Sequence, residues 1–146
     1  MNLSESLRER RGRVLFVCLG NACRSQMAEA FANAYGKDVL EASSAGIQPA
    51  SRVSSRTRAV MAEKRVPIDP RQTPKAVSSF DMSSFDLIVN LSEYGVPKTC
   101  TRVLRLAVPD PMGHQDDTHR EARDTIEAFV RVLVDHFRAA KKFGAQ

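Results

Sequence analysis

Strand-like and helix-like segments alternate along this chain. That alternation predicts a single-domain α/β fold of three layers, a four-stranded parallel sheet with helices on both faces. Three observations carry the prediction. Four short strand-like runs are separated by segments long enough for crossovers. Apolar residues recur at helical spacing in the stretches between and after them. The chain has 146 residues, which suits one domain with a sizeable core.

Taken in order, Arg13–Cys18 reads as a buried strand with Val14-Leu15-Phe16-Val17 at its centre. Arg24–Tyr35 reads as a helix stopped by Gly36, because Met27, Phe31 and Ala34 recur at helical spacing. Val39–Ser44 reads as a second strand. Ser54–Lys64 looks helical, with Val60 and Met61 inward and Pro67 just beyond the stop. A proline-containing loop then leads to a short helical piece near Val77–Met82. Asp86–Asn90 has the continuous apolar character of a central parallel strand, and Arg102–Ala107 reads as the last strand. Thr118-His119-Arg120-Glu121 has capping-box spacing, with Asp116 and Asp117 placed to favour a helix start. Ala122, Ile126, Phe129, Val130, Leu133 and Phe137 then form one apolar stripe, read as core. There is no internal repeat and no low-complexity segment.

Composition narrows the class. Hydrophobic residues make up 42% and no apolar stretch approaches a membrane span, which predicts a soluble protein without a membrane partner. Arg8, Arg10, Arg11 and Arg13 crowd the region where the apolar core of a signal peptide would sit. Residues 1–12 are read as a basic N-terminal extension, a solvated charged tail, and residues 13–146 as the domain. The formal charge of +5 helps recruit anionic substrates. Aromatics at 6% are too few to interleave with basic residues along one element, so no nucleic acid is expected. Three cysteines without framework spacing predict a reducing, cytoplasmic setting. His114, His119 and His136 fall in no metal-ligand spacing, and neither a metal nor another cofactor is expected.

Chemistry concentrates where the first strand ends. Cys18-Leu19-Gly20-Asn21-Ala22-Cys23-Arg24-Ser25 joins that strand to the first helix. Such a loop can curl so that its backbone N–H groups point at one anion, with the helix N-terminus behind it. The same positive field favours the thiolate of Cys18, the nucleophilic form. Arg24 can hold two oxygens of a tetrahedral oxyanion in its planar fork. Gly20 and Asn21 tolerate the positive φ that the curl needs, and Ser25 offers a hydroxyl to the thiolate. A phosphate-binding loop after strand 1 is the reading. A buried Cys18 that merely ended a strand would leave Gly20, Asn21, Arg24 and Ser25 unexplained. Cys23, five residues on in the same loop, is a redox candidate able to form a reversible disulfide with Cys18.

Val17 to Ser25 resembles the signature of the low-molecular-weight protein tyrosine phosphatase superfamily, which includes the related arsenate reductases. Ser43-Ser44-Ala45-Gly46 and Val108-Pro109-Asp110-Pro111 are similar to two further family elements, and the likeness runs from about Arg13 to the C-terminal helix. The resemblance implies a nucleophile at Cys18 and oxyanion binding by Leu19, Gly20, Asn21, Ala22, Cys23, Arg24 and Ser25. It also implies a supporting hydroxyl at Ser44. Asp110, after the last strand, is then the general acid for the leaving oxygen and the base toward water.

Two chemistries share this beginning. A phosphatase hydrolyses the Cys18 thiophosphate, whereas an arsenate reductase needs a second thiol to attack the arseno-cysteine sulfur. Ser25-Gln26-Met27-Ala28-Glu29 resembles the reductases, since many phosphatases of the family have proline where Gln26 stands. Against that, Leu91 to Pro97 lacks the extra cysteines of thioredoxin-coupled reductases, and Cys100 alone reads as a small core residue. Met112-Gly113-His114 and Ile47 to Arg52 leave few aromatic walls for a phosphotyrosine ring. The expected activity is a cysteine-dependent phosphomonoester hydrolase, acting on a phosphorylated protein or a small phosphomonoester. The alternative is an arsenate reductase served by a small-molecule thiol or a second protein thiol. A phosphate-binding module without turnover is the third reading.

Overall fold

The computed structural model describes residues 10–143, which hold four short strands and three α-helices, with no helix between the third and fourth strands. They are β1 (Gly12–Cys18), α1 (Arg24–Tyr35), β2 (Leu40–Gly46), α2 (Ser55–Glu63), β3 (Leu87–Asn90), β4 (Val103–Arg105) and α3 (Asp116–Phe143). The strands form one sheet in the order β2-β1-β3-β4, every neighbouring pair parallel. Because β1 is central, its residues are covered on both faces, and Val14 through Val17 are all fully buried. Their side chains alternate between two cores, as the strand period requires. Val14, Phe16 and Cys18 join α1, α2 and α3 in the larger core, while Leu15 and Val17 join Val77, Phe85 and Ile88 in the smaller one.

The three layers expected are present. The α-helices pack in the larger core, and the smaller core is closed by two 3-10 turns, Val77–Ser79 and Met82–Ser84, where one short helical piece was expected. The register sets Cys18 opposite Gly46 and Val17 opposite Asn90. The carboxyl ends of β1, β2 and β3 therefore finish together on one edge, where loops meet a ligand in parallel sheets.

Three local expectations need correction. In α1 the buried apolar face is Met27, Ala28, Phe31 and Ala32, and Ala34 is exposed. The face is set by the contacts of α1 with both the sheet and α3, and alanine carries little apolar signal of its own. β4 is three residues long rather than six. α3 begins at Asp116, two residues before the expected Thr118 cap, with Asp116 and Asp117 in its first turn favouring the positive end of the helix dipole. Its stripe packs as read: Ala122, Ile126, Val130 and Leu133 are buried, with Phe129 and Phe137 packed against the core.

Of the arginine cluster, Arg8 lies outside the described residues. Arg10 pairs with Asp86 at 3.2 Å and Arg11 with Glu41 at 3.6 Å. Arg13 donates to the Ser84 carbonyl and lies over the Phe85 ring. Among the described residues no helix is long and apolar enough to cross a membrane.

Candidate active site

The loop from Cys18 to Ser25 is held from outside by its carbonyl groups. The carbonyls of Cys18, Leu19 and Gly20 accept from Ile47, Gln48 and Ala50 N–H at 3.0, 2.8 and 2.9 Å, and that of Ala22 accepts from Ser54 N–H at 3.0 Å. Turning the carbonyls outward leaves the N–H side of the curl for an anion. Asn21 makes the turn at φ 52°, a left-handed conformation that asparagine adopts more readily than most residues. Opposite, Gly46 lets the two chains touch: a Cβ there would lie 2.9 Å from the Leu19 oxygen, the Gly20 carbon and the Asn21 nitrogen.

Buried polar groups fix the Cys18 sulfur. It accepts from Asn21 N–H at 3.3 Å and lies 2.9 Å from Ser25 Oγ. Asn21 Nδ2 donates to Ser25 Oγ at 2.7 Å and to Ser44 Oγ at 2.9 Å, and Ser44 in turn donates to Glu29 at 2.9 Å. Ser25 already accepts from Asn21, so its own hydrogen is free to point at the sulfur. Asn21 Oδ1 accepts from Lys75 N–H at 2.8 Å and from Gln26 Nε2 at 3.2 Å. Gln26 is itself held by Gln72 Nε2 at 3.0 Å, a set of bonds that proline at this position cannot make. Burial pushes the Glu29 carboxyl above its ordinary value, against the Ser44 hydroxyl and the Lys75 charge.

Arg24 is 1% exposed. Its Nη1 donates to the carbonyls of Leu91 at 3.1 Å and Val108 at 2.9 Å, and to Glu93 at 3.3 Å, while Nη2 pairs with Asp110 at 3.3 Å. Nε is buried without a partner among the described residues. One edge of the guanidinium is therefore anchored to the protein, and the Nε–Nη2 edge remains for a ligand. Asp110 is steadied by Met112 N–H, which donates to it at 3.0 Å. Cys18, Cys23, Arg24, Asp110, Gln48, Ala50 and Met112 are among the residues lining a cavity of about 200 Å³, and among the described residues no aromatic side chain lines it.

The structure thus brings Cys18, Arg24 and Asp110 to one cavity with Leu19, Gly20, Ala22 and Cys23, and sets Asn21, Ser25 and Ser44 behind the sulfur. Cys100 corrects its expectation: it is exposed and does not line the cavity. Sequence reasoning missed Glu93, Thr57 and His119. Thr57 and His119 are buried and lie 3.2 Å apart, side chain to side chain, beside the loop. Nothing in the local pattern marks them, because they come from α2 and α3 and meet only in the fold.

The model of the family described as low molecular weight phosphotyrosine protein phosphatase matches residues 13–143. An arsenate reductase from Brevibacillus brevis is 36% identical, over 87% of this chain and 97% of its own. A glutaredoxin arsenate reductase from Synechocystis is 32% identical, over 84% of this chain and 95% of its own. Among solved structures, an arsenate reductase from Archaeoglobus fulgidus superposes with a TM-score of 0.76 at 36% identity, covering 84% of this chain and 98% of that one.

Proposed function

The chain belongs to the low molecular weight phosphotyrosine protein phosphatase family, and on that premise we propose that it is a thiol-dependent arsenate reductase in which Cys18 attacks the oxyanion. The observation that carries this reading is the cavity. It is about 200 Å³, it presents two cysteines and an arginine edge, and no aromatic side chain among the described residues lines it. A volume below the ~300 Å³ at which pockets for larger organic ligands begin suits an inorganic oxyanion better than a phosphorylated side chain. The relatives named arsenate reductase point the same way, as does Gln26 bonded into the loop. We therefore rank the reductase ahead of the hydrolase, the reverse of the order expected from sequence.

In the first step the Cys18 thiolate attacks arsenic, a sulfur–arsenic bond forms, and an arsenate oxygen leaves as water. Arg24 Nε and Nη2 and the loop N–H groups hold the remaining oxygens, and Asp110 is the candidate donor to the departing one. A second thiol then attacks the Cys18 sulfur. The bonding pair stays on arsenic, As(V) becomes As(III), and two sulfurs become a disulfide. A small-molecule thiol such as glutathione, a glutaredoxin or a thiol of this chain are the candidate sources, and one relative is named for glutaredoxin.

Phosphomonoester hydrolysis is the second reading, favoured by Asp110. Its carboxylate lies 3.3 Å from Arg24 in the same cavity, where a leaving alkoxide needs its acid. The deciding experiment compares arsenite formed from arsenate, with glutathione and glutaredoxin present, against p-nitrophenyl phosphate hydrolysis by the same reduced protein. We expect arsenite formation that Cys18→Ser abolishes. Robust Cys18-dependent hydrolysis with no arsenite under any thiol would return the protein to the hydrolases.

A further inference from the structure

A peptide-sized thiol cannot fit the cavity whole. A volume of about 200 Å³ holds an oxyanion and one thiol arm, so the remainder of such a molecule has to rest on the rim. The rim is lopsided in charge. On one side stand Asp110, in the cavity, and Glu93, in the loop after β3, both paired with Arg24. On the other runs the segment after β2, where Gln48 and Ala50 line the cavity. Ala50 N–H donates to the Gly20 carbonyl at 2.9 Å and Ser54 N–H to that of Ala22 at 3.0 Å, so the stretch between them is fastened to the Cys18 loop at both ends. Val53 in that stretch is buried in the larger core, while Ser51 and Arg52 are exposed.

The Arg52 guanidinium has neither an ion pair nor a hydrogen bond among the described residues. The next cation along, Arg56, is spent on Asp116 at 2.9 Å and Gln115 at 3.3 Å, and Arg24 is committed inside the cavity. Two residues of extended chain span about 7 Å, so the Arg52 backbone lies within that distance of Ala50 at the cavity wall. A Cys-Gly unit sets its sulfur and its carboxylate about the same two residue lengths apart. We infer that Arg52 docks the carboxylate of a small peptidic thiol of the glutathione class while the sulfur enters the cavity toward Cys18, an inference that rests on the reductase reading for its setting. The planar fork of arginine matches a carboxylate, and at this position it has no competing partner. Asp110 and Glu93 repel the anionic end from the opposite side, which sets the direction in which the thiol lies.

The step balances. The docked thiol attacks the sulfur of the Cys18–arsenic adduct, a sulfur–sulfur bond forms and the sulfur–arsenic pair remains on arsenic. The proton lost by the thiol goes to an oxygen of the departing arsenite. A second molecule of the same thiol attacks the glutathione-side sulfur of the mixed disulfide, giving up its proton to water. Oxidised glutathione leaves and Cys18 returns as the thiolate.

The test has two arms, and the first needs no arsenate. Reduced protein is mixed with oxidised glutathione or with 2-hydroxyethyl disulfide, which carries no charge, and the mixed disulfide on Cys18 is timed by peptide mass. In both, the Cys18 sulfur bonds to one sulfur of the reagent and the other leaves as a thiol. The readout is the ratio of the two rates, glutathione over the uncharged reagent. Arg52→Gln is expected to lower it about threefold and Arg52→Glu about tenfold, and added salt is expected to lower the wild-type ratio as well. Arg102→Gln removes the same charge at the amino end of β4, the opposite edge of the sheet from the cavity, and is expected to keep the wild-type ratio. The second arm follows arsenite formed from arsenate against glutathione concentration. There Arg52→Glu is expected to raise the KM for glutathione about tenfold with little change in kcat. A wild-type ratio or a wild-type KM in Arg52→Glu would overturn the inference. So would arsenite that forms with glutaredoxin but never with glutathione alone, an outcome that keeps the reductase. An Arg52-dependent ratio in the first arm, with no arsenite under any thiol, would support the docking residue and remove the reductase reading.

Discussion

Asn21→Ala tests whether one buried side chain organises the whole loop. Asn21 is fully buried at φ 52°, and its amide touches four partners. Alanine loses the donor to Ser25 and Ser44 and the acceptor of Lys75 N–H and Gln26. Holding alanine in the left-handed region costs about 1 kcal/mol. Stranding the Lys75 N–H and the Gln26 amide costs about 1–3 kcal/mol in all, since both are partly or fully enclosed. The sum, about 3 kcal/mol, corresponds to a fall in Tm of roughly 10 °C for a domain of this size. Asn21→Gly removes the same bonds but relieves the backbone, so it is expected to be more stable than Asn21→Ala by about 1 kcal/mol. Thermal and urea unfolding measure the stabilities, and phosphate binding reports the loop. Wild-type stability in Asn21→Ala, or a glycine variant no better than the alanine one, would refute this account of the loop.

Three further outcomes follow from the same geometry. Gly46→Ala sets a methyl 2.9 Å from three backbone atoms of the loop, which cannot swing aside as a side chain would, so phosphate affinity is expected to drop tenfold or more. Gly95→Ala, with nothing within 4 Å, is its control and is expected to bind normally. Asp110→Asn removes a negative charge 3.3 Å from Arg24, and calorimetry is expected to show tighter phosphate binding even as any p-nitrophenyl phosphate hydrolysis falls about a hundredfold. Arg120 and Arg123 hold the Glu63 carboxyl down at about 2, below its ordinary 4.5. A depressed carboxyl stabilises the fold above its unfolded value and loses that contribution as pH falls. The Tm gap between wild type and Glu63→Gln is therefore expected to be full above pH 5 and to close toward pH 2.

How much of this was legible in the sequence depended on whether the signal was local. The loop was legible because its candidate nucleophile, arginine, turn residues and supporting hydroxyl lie within eight consecutive positions between a strand and a helix. Parallel pairing was legible because β1 and β3 are apolar without alternation, the mark of strands covered on both faces. The helix start at Asp116 was missed because the capping-box pattern competed with two acidic residues just before it. A turn at Gly113, φ 80°, with His114 N–H bonded to the Pro111 carbonyl, then delivers the chain early enough for the acidic pair to win. The burial of His119 and Arg123 was illegible, since each is polar and becomes core only by docking on α2. Cys100 shows the converse, a residue type usually buried that the fold leaves exposed.

What separates the two chemistries of the family lies outside the part of the site that is easiest to read. Capture of an oxyanion needs the curl, the sulfur and an arginine edge, and here all three are braced by buried bonds that either chemistry would keep. Divergence comes at the second step, where water must meet a base or a thiol must meet sulfur. Asp110 is steadied for the first by Met112 N–H from a loop, with a third of its side chain exposed. Cys23 lines the same cavity from the loop itself, with the first turn of α2 pinned to that loop by Ser54 N–H. Under the proposed reductase reading the partner of Cys18 is a thiol, whereas under the hydrolase reading it is a water activated by Asp110.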